Sequence, residues 1–267
     1  MSSKPKIGLS LSGGGARCAA HIGILQALEE ADLKPTHLVG ISSGAIVGAL
    51  HAGGKRPSEI MDFIKQASIF KLFGFGLPTK GLTSLNYLDK KLAEALGADT
   101  QLEDLSIPLH VGTTNLNIGQ LELHHTGRLS ELVCASCALP FVFKPIEIDG
   151  YQYADGGIFS NMPIEPLREN PEIDLVVGSN VVSTAPVEST DLSNLLGIIW
   201  RTFDLSVIAN TKPSIAACDF VFQPPDLNLY NIFAFSKIDE MYEAGYAYAK
   251  EKVDDLRKYG KRQETRF

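Results

Sequence analysis

The sequence predicts an α/β protein built on a mainly parallel sheet, and three observations carry that prediction. Short apolar runs bounded by turn residues alternate with stretches of helical period from the start of the chain. Their order is strand, helix, strand, helix, which joins parallel strands through right-handed crossovers. The chain has 267 residues, 45% of them hydrophobic and 21% charged, enough core-forming side chains for one large domain. No internal repeat or low-complexity linker divides it, so 1–267 reads as a single domain.

In order, Lys6 to Leu11 reads as a buried strand, and 16–31 as a helix with Ile22, Leu25, Ala27 and Leu28 close to one face. Thr36 to Ile41 is the next strand and Gly44 to Ala52 the next helix. Residues 57–67 and 84–96 follow as helices, the latter stopping at Gly97. Between them lies IFKLFGFGLPTKGL, aromatic and broken by glycine; segment 69–82 suits a mobile cap better than a sheet. Leu109 to Asn115 and Gln120 to His125 are strands joined by a turn at 117–119. Ile146 to Tyr153 carries Asp149-Gly150 between alternating residues, a two-residue hairpin signal, and that hairpin delivers Asp155 to a strand end. Ile173 to Asn180 and Asp219 to Gln223 complete the strands. Ser236 and Asp239 are spaced as a capping box for a last helix ending at Gly260.

Composition excludes several classes. With 24 Lys and Arg against 31 Asp and Glu, the net charge of −7 leaves no basic field for nucleic acid, and any membrane contact is not charge-driven. No apolar run reaches the roughly 18 to 20 residues that span a bilayer, and the stretch after the first lysines is too short and glycine-rich for a secretion signal. The expectation is a soluble cytoplasmic protein with Cys18, Cys134, Cys137 and Cys218 reduced. Cys134 and Cys137 form a lone C-x-x-C without a second pair or flanking histidine, which reads as core packing rather than a metal site.

The chemistry concentrates in LVGISSG (38–44). In G-x-S-x-G the serine lies on a sharp strand-to-helix turn, and the glycines two before and two after it avoid collisions with neighbouring backbone. Gly40 and Gly44 centre on Ser42; a nucleophile at Ser43 would be flanked by Ile41 and Ala45 instead. The other reading of Ser42 and Ser43 is simple helix capping.

A second glycine cluster, SGGGAR (12–17), also joins a strand to a helix. Its amides, at a positive helix N-terminus, suit an anion, either a bound phosphate or a transient oxyanion. A dinucleotide fingerprint fails because Cys18 stands where Gly or Ala is needed and no acidic residue ends the second strand. A Walker loop fails because Gly54-Lys55 is followed by Arg56. The oxyanion reading survives, since consecutive βα units lie side by side and bring 13–15 next to Ser42.

No histidine follows His125, so a Ser, Asp, His order of triad residues cannot close. His21 and His51 read as packing or solvated positions, while His124 and His125 face opposite ways, one of them within conceivable reach of Ser42. Asp155, before two glycines, could accept the serine proton directly. A carboxylate of ordinary pKa, near 4, is a weak base for a hydroxyl, so most of the rate would fall to oxyanion donors worth roughly 10² to 10³ each. By itself Asp-Gly-Gly reads as a turn.

SGGGAR, GISSG, ASCALPFVFKP (135–145) and DGGIFSNMP (155–163), in that order, resemble the patatin-like phospholipase family, and the segment from Ala217 to Lys250 is similar to the C-terminal region of bacterial members. The resemblance implies a three-layer α/β/α sandwich with a mainly parallel central sheet and a Ser-Asp dyad without histidine. By that match Ser42 is the nucleophile, Asp155 the base, and the amides of Gly13, Gly14 and Gly15 the oxyanion hole, with Arg17, Gly40, Gly44, Gly156 and Gly157 supporting. It implies hydrolysis of lipid acyl esters through an acyl-enzyme, with no metal and no cofactor. One departure is Cys18, where the family commonly has glycine; it bears on the geometry of the loop. Arg17 either holds that loop by pairing with a carboxylate or meets a phosphate head group.

Three apolar stretches, 69–77, 192–200 and 227–235, are candidates for an acyl tunnel, a membrane-touching surface or plain core. The expected substrate is a lipid or fatty-acyl ester, with transient contact to a membrane surface. A catalytically weak lipid-binding regulator and a thioesterase are the alternatives.

Overall fold

The computed structural model describes residues 4–66, 84–182 and 184–264. An eight-stranded sheet runs through the molecule in the order β5-β6-β3-β2-β1-β7-β8, with β4 paired to β3 off that path. The strands are β1 (Ile7–Leu11), β2 (Pro35–Ile41), β3 (Leu109–Asn115), β4 (Gln120–His124), β5 (Ile146–Ile148), β6 (Tyr151–Asp155), β7 (Leu175–Ser179) and β8 (Phe220–Phe222). β3, β2, β1, β7 and β8 are mutually parallel, while at one end β4 and β6 pair antiparallel with β3, and β5 pairs antiparallel with β6.

The helices are α1 (Ala19–Glu30), α2 (Ser43–Ala52), α3 (Pro57–Gln66), α4 (Asn86–Leu96), α5 (Leu129–Ser136), α6 (Glu165–Arg168), α7 (Leu195–Ala217) and α8 (Ile238–Glu264). Every residue of β1 and β7 is buried, as expected of strands covered on both faces. Alternation along β1 gives the two faces different depths. Ile7, Leu9 and Leu11 join the large core beneath α1, α2 and α8. On the opposite face Gly8 leaves room for Ile173 and Leu167, and Ser10 donates its hydroxyl to Pro163 O at 2.7 Å. There Val39, Val176, Ile164 and Leu167 form a second, small cluster under α6. The result is the α/β/α arrangement, thick on one side and thin on the other.

Several boundaries differ from the sequence expectation. The first helix begins as a 3-10 turn (Gly15–Cys18) before α1 continues it. The sequence reading assigns no helix at α5 or α7; α7 is capped by Asn194, whose side chain accepts from Gly197 N–H at 3.0 Å, and runs through Pro213. The last helix does not stop at Gly260 but continues to Glu264. A side chain on Gly260 would meet Leu175 Cδ1 at 3.3 Å. The Asp149-Gly150 hairpin forms as expected, both residues at positive φ (51° and 80°), the backbone of a type I′ turn. The cap segment 69–82 lies outside the described residues.

Candidate active site

β2 ends at Ile41 and the chain turns into α2 through Ser42, whose φ of 53° and ψ of −124° are uncommon for a residue with a side chain. The flanking glycines explain how the turn is made. A Cβ on Gly40 would lie 2.7 Å from Ala45 Cα, and one on Gly44 would lie 2.6 Å from Ser12 O. Neither position admits a side chain, so the turn is built around Ser42. Its amide donates to Ser136 Oγ at 2.8 Å, and the Ser136 hydroxyl donates to Gly112 O at 2.7 Å, pinning the elbow to β3.

Ser43 has a separate task. Its Oγ accepts from Gly14 N–H at 3.1 Å, tying the elbow helix to the glycine loop.

Strand register brings in Asp155. β4 pairs with β3 along 111–115, so β2 and β6 share the remaining edge of β3. β2 runs as far as Ile41 opposite Gly112, and β6 takes over with Asp155 opposite Thr113. Asp155 therefore arrives beside the residue that follows Ile41. It is 3% exposed, accepts from Gly157 N–H at 2.8 Å through Oδ1, and is hydrogen-bonded by the Ser42 hydroxyl. Burial pushes its carboxyl up to about 6, against the pull of those two hydrogen bonds. The ordinary value near 4 assumed from sequence is thus replaced by that of a stronger base.

The glycine loop closes the third side. A Cβ on Gly13 would lie 3.2 Å from Ser42 Cβ, so this glycine permits close approach of loop and elbow. Gly15 has φ 59°, the loop's positive-φ position, whereas Cys18 sits at φ −58°, ψ −20° in ordinary helical backbone. Cys18 therefore makes no demand that only glycine could meet. The three amides are not equivalent. Gly13 N–H donates to Asn161 O at 3.3 Å, and Gly14 N–H donates to the Ser43 hydroxyl. Gly15 N–H has no partner among the described residues. The Gly13 amide is thus paired with backbone here, and its missing side chain leaves the space beside Ser42.

Sequence reasoning passed over three further residues. Asn161 donates its Nδ2 to Gly13 O at 3.2 Å, Asn161 N–H donates to Asn210 Oδ1 at 3.2 Å, and Asn210 Nδ2 donates to Gly157 O at 2.8 Å. With Ser136 they lock the glycine loop, the elbow and the Asp155 turn to one another. Asn161 stands inside the DGGIFSNMP block, but nothing in its spacing foretells a partner 148 residues away. Asn210 lies on α7, where the sequence reading assigns no helix. Gly156 packs on β3, where a Cβ would lie 2.5 Å from Gly112 O, and Gly157 supplies the amide that holds Asp155.

None of the six histidines lines the cleft among the described residues. His21 Nε2 donates to Ser12 O at 2.9 Å, which makes Nδ1 the acceptor of the Ser179 hydroxyl at 2.7 Å; burial lowers its pKa to about 4 and keeps it neutral. It ties the ends of β1 and β7 together behind the loop. His124 Nε2 lies 2.8 Å from Thr113 Oγ1 on the antiparallel side of the sheet.

Ser42, Asp155 and residues 13–15 open into one cleft. Its remaining wall is largely apolar, with Ile46, Phe63, Leu88, Val207 and Ile232 among the contributors. Of the three apolar stretches singled out, 227–235 supplies wall residues; α7 reaches the cleft one turn beyond 192–200, through Phe203 and Val207; 69–77 lies outside the described residues.

An elbow serine meets a buried carboxylate under a glycine loop, on a mainly parallel sheet of the α/β class. The chain belongs to the patatin-like phospholipase family, whose sequence model matches residues 9–168. It is 28% identical over 286 residues to the lysophospholipase nte1 of Aspergillus niger, an alignment covering 95% of this chain and 18% of that protein. It is 27% identical over 291 residues to the lysophospholipase nte1 of Neurospora crassa, with the same coverage. The chain thus spans about a fifth of the length of these curated relatives. Among solved structures, VipD from Legionella pneumophila superposes with a TM-score of 0.62 at 18% identity, over 95% of this chain and 67% of that one. Human GIVD cytosolic phospholipase A2 gives 0.55 at 11% identity, over 97% and 60%. These two share the fold.

Proposed function

We propose that the chain is a serine hydrolase of lipid acyl esters, of the phospholipase A or lysophospholipase type. The observation that carries the reading is the contact between Ser42, strained at φ 53°, and Asp155, buried with its carboxyl raised to about 6. Asp155 takes the hydroxyl proton as Ser42 Oγ attacks the ester carbonyl. The tetrahedral oxyanion is received by the amides of Gly15 and Gly14, the latter exchanging the neutral Ser43 hydroxyl for a charged acceptor. Collapse expels the alcohol, which takes its proton from Asp155. Water then attacks the acyl-serine with Asp155 again as base, releasing fatty acid and restoring Ser42.

The apolar cleft supports an acyl chain as the bound group. Exposed Leu195, Ile198 and Leu205 on α7, with Phe233 at the cleft, support transient contact with a lipid surface. No helix among the described residues is long and apolar enough to cross a membrane, and we place the protein's work in the cytoplasm on the strength of four free cysteines. The non-catalytic alternative depended on Cys18 distorting the loop, and the helical backbone at Cys18 gives it no support.

The experiment is labelling with a fluorophosphonate probe, comparing wild type with Ser42→Ala, Ser43→Ala and Asp155→Asn and locating the adduct by peptide mass. Labelling at Ser42 that persists in Ser43→Ala and is lost or greatly slowed in Asp155→Asn is the expected result. An adduct on another serine, or none on folded protein, overturns the assignment.

A further inference from the structure

Three consecutive residues at the end of α5 reach both halves of the site. Ser136 Oγ accepts from Ser42 N–H at 2.8 Å, and Ala138 O accepts from Asp155 N–H at 3.0 Å. Cys137 stands between them, so the segment that pins the elbow and the Asp155 strand end passes through it. Its own backbone is held from both directions: Cys137 N–H donates to Val133 O and Cys134 O, each at 3.0 Å, and Cys137 O accepts from Leu139 N–H at 2.7 Å. The side chain is 8% exposed, lines the cleft and meets the Ser42 hydroxyl.

Hydrogens decide what that contact is. A serine hydroxyl has one hydrogen to donate and two lone pairs to accept with. Asp155, an acceptor when ionised, takes that hydrogen, as the proposed proton transfer requires. A thiolate at 137 would compete for it. Burial, reinforced by the charge of Asp155, pushes the Cys137 thiol well above its ordinary value, so the sulfur keeps its hydrogen and has one to give. Cys134, three residues earlier, shows the contrast. Its thiol donates to Leu85 O at 3.9 Å within the core, and it does not line the cleft.

We infer that Cys137 is a positioning residue: its S–H donates to Ser42 Oγ and holds the hydroxyl in the orientation whose hydrogen points at Asp155. The inference deepens the hydrolase reading of this site and rests on it. Residues 136 and 138 fix the backbones of the nucleophile and the base, and what they leave free is rotation within the Ser42 side chain. The thiol removes that freedom. A methyl group at 137 leaves the hydroxyl to turn away from the base for part of the time, whereas a hydroxyl at 137 restores a donor on the same carbon.

Two measurements test the role. The first is the rate of fluorophosphonate labelling at Ser42 in wild type, Cys137→Ala and Cys137→Ser. Cys137→Ala is expected to label about fivefold more slowly, the worth of one ordinary hydrogen bond, and Cys137→Ser to recover to within about twofold of wild type. A serine variant as slow as the alanine variant points to packing alone and overturns the role. The second needs neither chemistry at Ser42 nor a folded alanine variant. The S–H stretch of Cys137 is identified in the Raman spectrum as the band missing from Cys137→Ser, and its frequency is compared between wild type and Ser42→Ala. Loss of the acceptor is expected to raise it, and an unmoved band overturns the inference. Wild type that takes no label at Ser42 sinks the hydrolase reading while the thiol contact stays measurable; a labelled Ser42 with an unmoved band sinks the positioning role alone.

Discussion

Ile41 and Asp155 take consecutive partners, Gly112 and Thr113, along one edge of β3, although 114 positions of sequence separate them (155 less 41). β2 stops where β6 begins, and Ser42 is the first residue past the junction. A parallel strand and an antiparallel strand sharing one edge thus deliver the side chains of Ser42 and Asp155 to a single point.

That junction fixes a pH dependence. Asp155 acts as a base only when ionised, and its carboxyl lies at about 6. kcat/KM for a neutral ester is expected to rise through pH 6 and level off above it, with Asp155→Asn reduced by at least roughly 10³-fold at the plateau. A profile flat from pH 5 to 8 contradicts this assignment.

The same shift predicts a stability gain. The native carboxyl is raised from 3.8 to about 6, so the native state holds a proton where the unfolded chain has lost it. Above pH 6 Asp155 therefore lowers stability, and the deficit vanishes toward pH 4. Asp155→Asn is expected to raise Tm by a few degrees at pH 8 and to have little effect at pH 4, as measured by calorimetric scans.

Histidines give the opposite slope. Burial pulls His21 and His110 down to about 4, with His125 and His37 adding repulsion at His110. A depressed native pKa means the unfolded chain binds the proton first, so this stability is complete above about 6.5 and is lost as pH falls toward 4. Urea unfolding in an Asp155→Asn background, which removes the opposing contribution, is expected to weaken across that window. His110→Phe, which keeps the packing against His125, is expected to make the decline shallower.

Ser136 is expected to couple stability to the nucleophile. Its hydroxyl bridges Ser42 N–H and Gly112 O and is fully buried. Ser136→Ala leaves both backbone groups without that partner, at a cost of about 1 to 3 kcal/mol in urea titrations. The rate of fluorophosphonate labelling at Ser42 should fall with it. An unchanged labelling rate would show that the elbow holds its shape without Ser136.

Glycines on either side of the elbow differ in kind from those in open turns. Gly44→Ala drives a methyl into the backbone of Leu11 and Ser12, whereas Gly54, at φ 83°, has nothing within 4 Å of the same methyl. Gly44→Ala is expected to abolish the folded protein or cost more than about 3 kcal/mol, and Gly54→Ala only about 1 kcal/mol from its backbone conformation. Soluble yield and urea midpoints distinguish the two.

The sequence by itself determined the parts whose causes are local. The spacing of Gly40 and Gly44 singles out Ser42 because each glycine answers a collision within a few residues or with the adjoining strand end. Asp149-Gly150 fixes the hairpin because both positions require positive φ, and the register of that hairpin carries Asp155 to the end of β6. The buried runs of β1 and β7 are legible because both faces are covered. Tertiary structure alone decided the rest. Whether Asp155 is a weak or a strong base depends on burial by chain from distant segments. Which loop amide is uncommitted depends on Asn161 and Ser43. The sequence reading assigns no helix at α7, whose buried side takes its place only against the cleft, with Asn210 on the Asp155 turn and Asp204 in the wall. The physical reason is the range of the interactions: backbone sterics act over a few residues and are written in their spacing, whereas desolvation and hydrogen-bond partnership depend on neighbours that only the assembled fold supplies.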